Sequence, residues 1–245
     1  MQGRRIVAVI GVAGFALAGL VGCRSDPGVA AYVGDRRISD TEVAAVADEY
    51  VASLPAANQA AVNRTDLRAQ VLRLMIVGDA VDAYARANSI PVAQVPLNEF
   101  ATAQKLPPQI RLTPLFAKYV AGQDALRSRV KPVAPSEEQK REAYRNTTIQ
   151  GRPLSEPFEA VSNNFSTETL GVPLALRDLV ARALTDARVT VNPRYGSDFR
   201  VPFDIQSAES YYAVPMGPSV PVKDAPADAP RTAAPAEPDP GHDHG

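Results

Sequence analysis

Proline limits how long any helix in this chain can be. Pro91, Pro96, Pro107, Pro108, Pro114, Pro132, Pro135, Pro173 and Pro193 fall between or at the ends of apolar runs with helical spacing. A proline lacks the backbone N–H and fixes φ, so helix interiors exclude it while the first helical turn tolerates it. The body is therefore read as several helices of limited length. Cys23 is the only cysteine, so no disulfide can staple these pieces and they must be held by an apolar core.

Between the prolines, local signals place each element. Val29-Ala30-Ala31-Tyr32-Val33 followed by Gly34-Asp35 reads as a short strand and a turn. Ser39-Asp40-Thr41-Glu42 fits a capping box, and Val43, Val46, Ala47, Tyr50, Val51 and Leu54 recur at helical spacing behind it. A second helix is expected from Thr65-Asp66 to about Ala87. Residues 90–111 read as short helical pieces and turns. Thr113-Pro114 gives a cap with proline at the first helical position, and Leu112, Phe116, Tyr119, Leu126 and Val130 share one face of that helix. Ser136 and Gln139 stand at capping-box spacing, with Glu137 and Glu138 at the positive helix end. Leu176, Leu179, Val180, Ala183 and Leu184 mark a last helix after Pro173. Val189-Thr190-Val191 is then extended. A lone strand leaves its backbone groups unpaired, so this run is expected to pair with the strand at residue 29. The expected fold is mainly α, closed by a small two-stranded β-sheet that joins the N- and C-terminal segments.

The second helix carries more apolar surface than one face needs. At 100° per residue, Leu67, Leu74, Val77, Val81 and Tyr84 fall within about one quadrant and are expected to be buried. Leu72, Met75 and Ile76 lie off that stripe. Such a second face either packs against another helix or stays exposed as a binding surface. With Phe100, these three are the candidate polypeptide-binding residues.

The two ends read differently from the body. Arg4-Arg5, an apolar run from Ile6 to Val21 and Leu20-Val21-Gly22-Cys23 give the order of an export leader, and the last four residues resemble a bacterial lipobox. The run is shorter than the roughly 18 to 20 residues that span a bilayer, and Gly11, Gly14 and Gly19 weaken it as a permanent helix. The reading is a signal peptide over 1–22, lipidation at Cys23 and a tether over 23–28. Multiple acyl chains would hold the protein stably at the extracytoplasmic face of the cell membrane. The helical domain is placed at 29–200. Residues 201–245 are read as extended and then, from Pro215 onward, as a disordered Pro- and Ala-rich tail.

Composition and missing motifs narrow the function. Losing Arg4 and Arg5 with the leader takes the net charge from -1 to about -3, which argues against nucleic acid, whose binders present a basic face. No Gly-rich phosphate loop follows a strand, and lone Ser and Thr residues lack a companion base. His242-Asp243-His244 offers metal-type ligands without the fixed surroundings a tight site needs. No catalytic residue, cofactor or metal site is therefore assigned.

The strand ending in Val33-Gly34-Asp35, the Ile38-Ser39-Asp40-Thr41-Glu42-Val43 helix start, the Leu-rich helix with Arg and Asp, and Pro135-Ser136-Glu137-Glu138 before another helix come in a telling order. Together they resemble the N-terminal domain of SurA-type periplasmic chaperones. The segment Ala187 to Gly196 resembles the closing segment of actinobacterial lipoproteins of this type. Several relatives carry a parvulin prolyl-isomerase domain between these parts. Here only about 146–187 is available, roughly half the needed length, and the only histidines are His242 and His244. The resemblance implies a chaperone-like protein that binds unfolded or newly exported polypeptides without catalysis. The alternatives are a structural or adaptor lipoprotein with one envelope partner, and a degenerate scaffold whose groove is filled by its own side chains.

Overall fold

The structure is a computed structural model that describes residues 28–205 and 208–217. The leader at 1–22, Cys23 and the tether as far as residue 27, and the tail with His242 and His244 lie outside the described residues.

The chain enters as β1 (Val29–Val33), reverses at Gly34 with φ +59, and returns as β2 (Arg36–Ser39). Ser39 caps α1 (Asp40–Ser53), its Oγ accepting from the Glu42 N–H at 3.1 Å. Glu42 does not reach back as a capping box would, because its carboxylate accepts from Arg36 at 3.0 Å. After α2 (Ala56–Gln59), Asn63 caps α3 (Arg64–Ala87) by accepting from the N–H groups of Thr65 and Asp66. Next come α4 (Leu97–Gln104) and α5 (Leu112–Arg127). Thr113 lies inside α5 and is no cap: its hydroxyl donates to the Pro107 carbonyl at 2.7 Å. At α6 (Glu137–Asn146) the Ser136/Gln139 capping box is complete.

The C-terminal third departs most from the sequence expectation. It runs through β3 (Thr148–Ile149), β4 (Arg152–Pro153), α7 (Phe158–Val161) and α8 (Thr167–Asp186). Then come β5 (Thr190–Val191), a 3₁₀ turn at Pro193–Tyr195, β6 (Asp198–Ile205) and β7 (Ala208–Pro215). Helix α8 begins well before Pro173 and contains it. An interior proline costs about 3 kcal/mol, but Leu170 and Leu174, fully buried on either side, anchor the helix through it. Gly171 also lets the 132–133 segment cross closely: a Cβ there would lie 2.9 Å from Pro132 Cβ, and the Val133 N–H donates to the Gly171 carbonyl at 3.2 Å.

Among the described residues the fold is mainly helical, with two small antiparallel sheets. β1 pairs with β5 through Ala31–Val191 and Tyr32–Thr190, but β2 joins on its other side, so that sheet has three strands in the order β2-β1-β5 and not two. The second sheet, β4-β3-β7-β6, was not anticipated. Its β6–β7 hairpin buries Phe199, Val201, Ile205, Tyr212, Val214 and Met216, so the packed body continues past residue 200 to about Gly217.

Helix α3 is the axis of the main core. Leu72, Met75 and Ile76 are 1%, 3% and 0% exposed. They are core residues, which corrects their assignment to a binding groove: α3 packs against other elements on more than one face, so its second apolar face is also buried. A separate aromatic cluster of Phe158, Phe165, Leu170, Leu174, Ile205 and Tyr212 joins α7, α8 and the hairpin.

Candidate functional site: an aromatic cleft

A cleft of about 790 Å³ opens between α3, α5, the end of α1 and the start of β6. Helix α3 supplies Leu67, Val71 and Leu74 to one wall, and α5 supplies Leu112, Phe116 and Tyr119 to another. Tyr50, Leu106, Phe199 and Pro202 complete the apolar lining. Asn63, Asp66, Gln70, Arg73 and Gln104 supply its polar groups.

The aromatic wall is a connected row. Phe100 meets Phe116 edge to face with centroids 5.4 Å apart, Phe116 stacks on Tyr119 at 6.2 Å, and Tyr119 meets Phe199 at 6.0 Å. Such ring geometries add roughly 0.5 to 1.5 kcal/mol per pair beyond area burial. Phe100 thus supports the wall from α4 and is not among the lining residues. Of the four residues expected to form a groove, three are core and the fourth stands behind the observed cleft.

Fixed contacts hold the walls apart. Arg73 Nε donates to the Asp198 carbonyl at 3.2 Å, tying α3 to β6. Arg111, just before α5, donates to Glu49 at 2.6 Å and to the Ala45 carbonyl at 2.8 Å, fixing α5 on α1. That hydrogen bond holds the Glu49 carboxyl below its ordinary range. Burial pushes the Tyr119 phenol up to about 12.

Strand β6 lies at the edge of its sheet. The Met216 N–H donates to the Ser197 carbonyl at 2.7 Å, and Arg73 takes the Asp198 carbonyl from the other side. Alternation along an antiparallel ladder then turns the backbone groups of Asp198, Arg200, Pro202 and Asp204 away from β7. Pro202 has no N–H to offer there, which blunts the edge against an added strand.

The sequence did carry a signal for this site. Phe199, Val201, Phe203 and Ile205 alternate with period two, the mark of a half-buried strand. Leu67, Leu74, Phe116 and Tyr119 lie on faces expected to meet a core, and they are partly buried at the cleft. Among the described residues no cluster of three His, Cys, Asp or Glu side chains is placed to hold a metal ion, and no helix is long and apolar enough to cross a membrane.

Residues 3–105 match the family model described as the SurA-like N-terminal domain. The match covers one wall of the cleft, through α3 and α4, while Phe116, Tyr119, Phe199 and Pro202 lie beyond it. No curated protein and no solved structure matches the chain.

Proposed function

From a SurA-like N-terminal domain whose described body carries an open aromatic cleft, we propose that the protein is a lipid-anchored, extracytoplasmic holdase for unfolded or newly exported polypeptides. The cleft is the observation that carries this reading: an apolar, aromatic-walled opening remains after the core has closed, as a polypeptide site requires. The leader pattern ending at Cys23 supports the location. Holding is passive. Burying one client side chain yields only about 1.5 to 3 kcal/mol, so retention comes from several contacts at once and release needs no fuel. The reading assigns no covalent chemistry, and a proline-peptide turnover assay is expected to stay at background.

Two experiments test it. Suppression of aggregation of several unrelated unfolded proteins is expected from the full chain and lost on Phe116→Ser. Saturable binding to one envelope partner with no effect on aggregation would replace the holdase with an adaptor. For the anchor, the Cys23 peptide is expected to carry a diacylglycerol mass, and Cys23→Ser to release the protein from the membrane fraction.

A further inference from the structure

Cys23 and Gly28 are five positions apart in the chain, so their Cα atoms stand at most about 18 Å from each other whatever path joins them. A diacylglycerol thioether places its cysteine at the edge of the hydrocarbon, beneath a headgroup layer about 6 Å deep. An anchor at Cys23 therefore keeps Gly28 within about 12 Å of the headgroup surface, and the groups packed beside Gly28 face lipid. We propose that the pocket at this end of the body binds the phosphate of an anionic phospholipid and so sets which face of the protein lies on the membrane. It rests on the lipid anchor of the proposed function and adds the surface that the anchored body presents to the bilayer.

Short bonds lead from Gly28 to that pocket. The Gly28 carbonyl accepts from the Asp40 N–H at 3.0 Å. The Asp40 carboxylate pairs with the Arg194 guanidinium and accepts from the Tyr195 hydroxyl at 2.8 Å. Arg194 also lies over the Tyr195 ring, 5.2 Å from its centroid.

The pocket, about 560 Å³, opens between these three side chains, Thr41 of α1, and Thr65 and Arg68 of α3. Its lining sets two guanidinium groups, Arg68 and Arg194, against the one carboxylate of Asp40. Arg68 is under-used by the protein. Its Nε is buried without a hydrogen-bond partner among the described residues, and its Nη2 stands 3.7 Å from Asp48, which Arg64 engages more closely at 2.8 Å. Both pocket arginines stay open to a ligand, their side chains 40% and 51% exposed. A guanidinium is always charged and its fork matches two phosphate oxygens. The single negative charge of a lipid phosphodiester complements the excess positive charge of the lining. Tyrosine, with an apolar ring and a polar tip, is a residue that settles at the headgroup level.

Asp66 and Leu67, between Thr65 and Arg68 on α3, line the aromatic cleft. Headgroup binding thus sets the cleft beside the bilayer, where exported chains emerge.

The test uses the full lipidated chain in phosphatidylglycerol vesicles that carry a nitroxide quencher at the headgroup. The chain has no tryptophan, so Tyr195→Trp and Ile149→Trp each give a single reporter. Ile149 is exposed and belongs to β3, which meets β7 opposite Asp204, about 20 Å along β6 from Asp198. Quenching is expected to be strong at position 195 and weak at 149. Adding Arg68→Gln to the Tyr195→Trp chain is expected to reduce the membrane-facing population about fivefold, the effect of one arginine at an anionic surface. Equal quenching at the two positions, or quenching that Arg68→Gln leaves unchanged, would overturn the proposal, while a diacylglycerol mass on Cys23 would keep the anchor. Absence of that mass would remove the anchor and this orientation together. Loss of the arginine-dependent quenching on adding inorganic phosphate, but not chloride of equal ionic strength, would make the pocket a site for free phosphate and overturn the lipid assignment.

Discussion

Tyr119 and Phe199 meet edge to face, their centroids 6.0 Å apart and their planes at 71°. Through this pair the helical body grips the β6–β7 hairpin at the wall of the cleft, with Phe199 buried and Tyr119 partly so. The same contact thus serves stability and the shape of the site.

Phe199→Ala is expected to cost about 3 to 5 kcal/mol, the range for emptying a buried phenyl position. Urea denaturation measures it, and hydrogen exchange should show the hairpin amides losing protection first. A loss below about 1 kcal/mol would mean that the hairpin docks without this pair.

Leu72 and Leu74 separate core from cleft on one helix. Leu72→Ala is expected to lower stability by about 2 to 5 kcal/mol, since Leu72 is fully buried. Leu74→Ser should cost much less and weaken client binding several-fold, because Leu74 lines the cleft. Thermal unfolding and client titration of the two variants check the split.

At alkaline pH, Tyr119 links stability to proton release. Its folded value is raised to about 12 from an unfolded value near 10, so the folded state keeps a proton that the unfolded chain loses. The corresponding stability is complete below about pH 10 and is lost as pH rises toward 12. Tyr212, raised by burial, acts in the same direction. Denaturation midpoints measured across that window should fall less steeply in Tyr119→Phe.

Gly122 lets α5 pack closely on α3. A Cβ there would lie 2.8 Å from Val81 Cγ1, and valine is stiff at χ1. Gly122→Ala is expected to destabilise by about 1 to 3 kcal/mol despite the better helix propensity of alanine. Adding Val81→Ala should make the pair less damaging than the sum of the single changes, as a double-mutant cycle would show.

Ser136→Ala removes one half of the completed capping box at α6 and is expected to cost about 1 kcal/mol. A correspondingly small fall in melting temperature checks it.

Signals confined to a few neighbouring residues were legible in advance. Ser136 with Gln139, the Ser39 cap and the strand at 29–33 involve groups a few positions apart, and the structure places them as the sequence implied. Pro173 misled because its cost is local while the burial of Leu170 and Leu174 that offsets it is tertiary. The faces of α3 misled for a related reason: periodicity gives the angle around a helix but not which neighbours arrive there. Leu72, Met75 and Ile76 are covered, whereas the stripe residues Leu67 and Leu74 border the cleft. The Phe199 wall is not legible locally, because the alternation of β6 marks a buried face but does not say that Tyr119 of α5 meets it.

β1 is the middle strand of its sheet, held by β2 on one side and β5 on the other, with the Asn192 side chain donating to the Val29 carbonyl at 3.1 Å. Any pull exerted on Gly28 from upstream therefore runs along a strand clamped on both flanks. Its hydrogen bonds are loaded together in shear and do not unzip one at a time, and the strain passes through β5 directly into α8. Because β1 and α8 both pack against α3, load entering at Gly28 reaches the helix that forms one wall of the cleft.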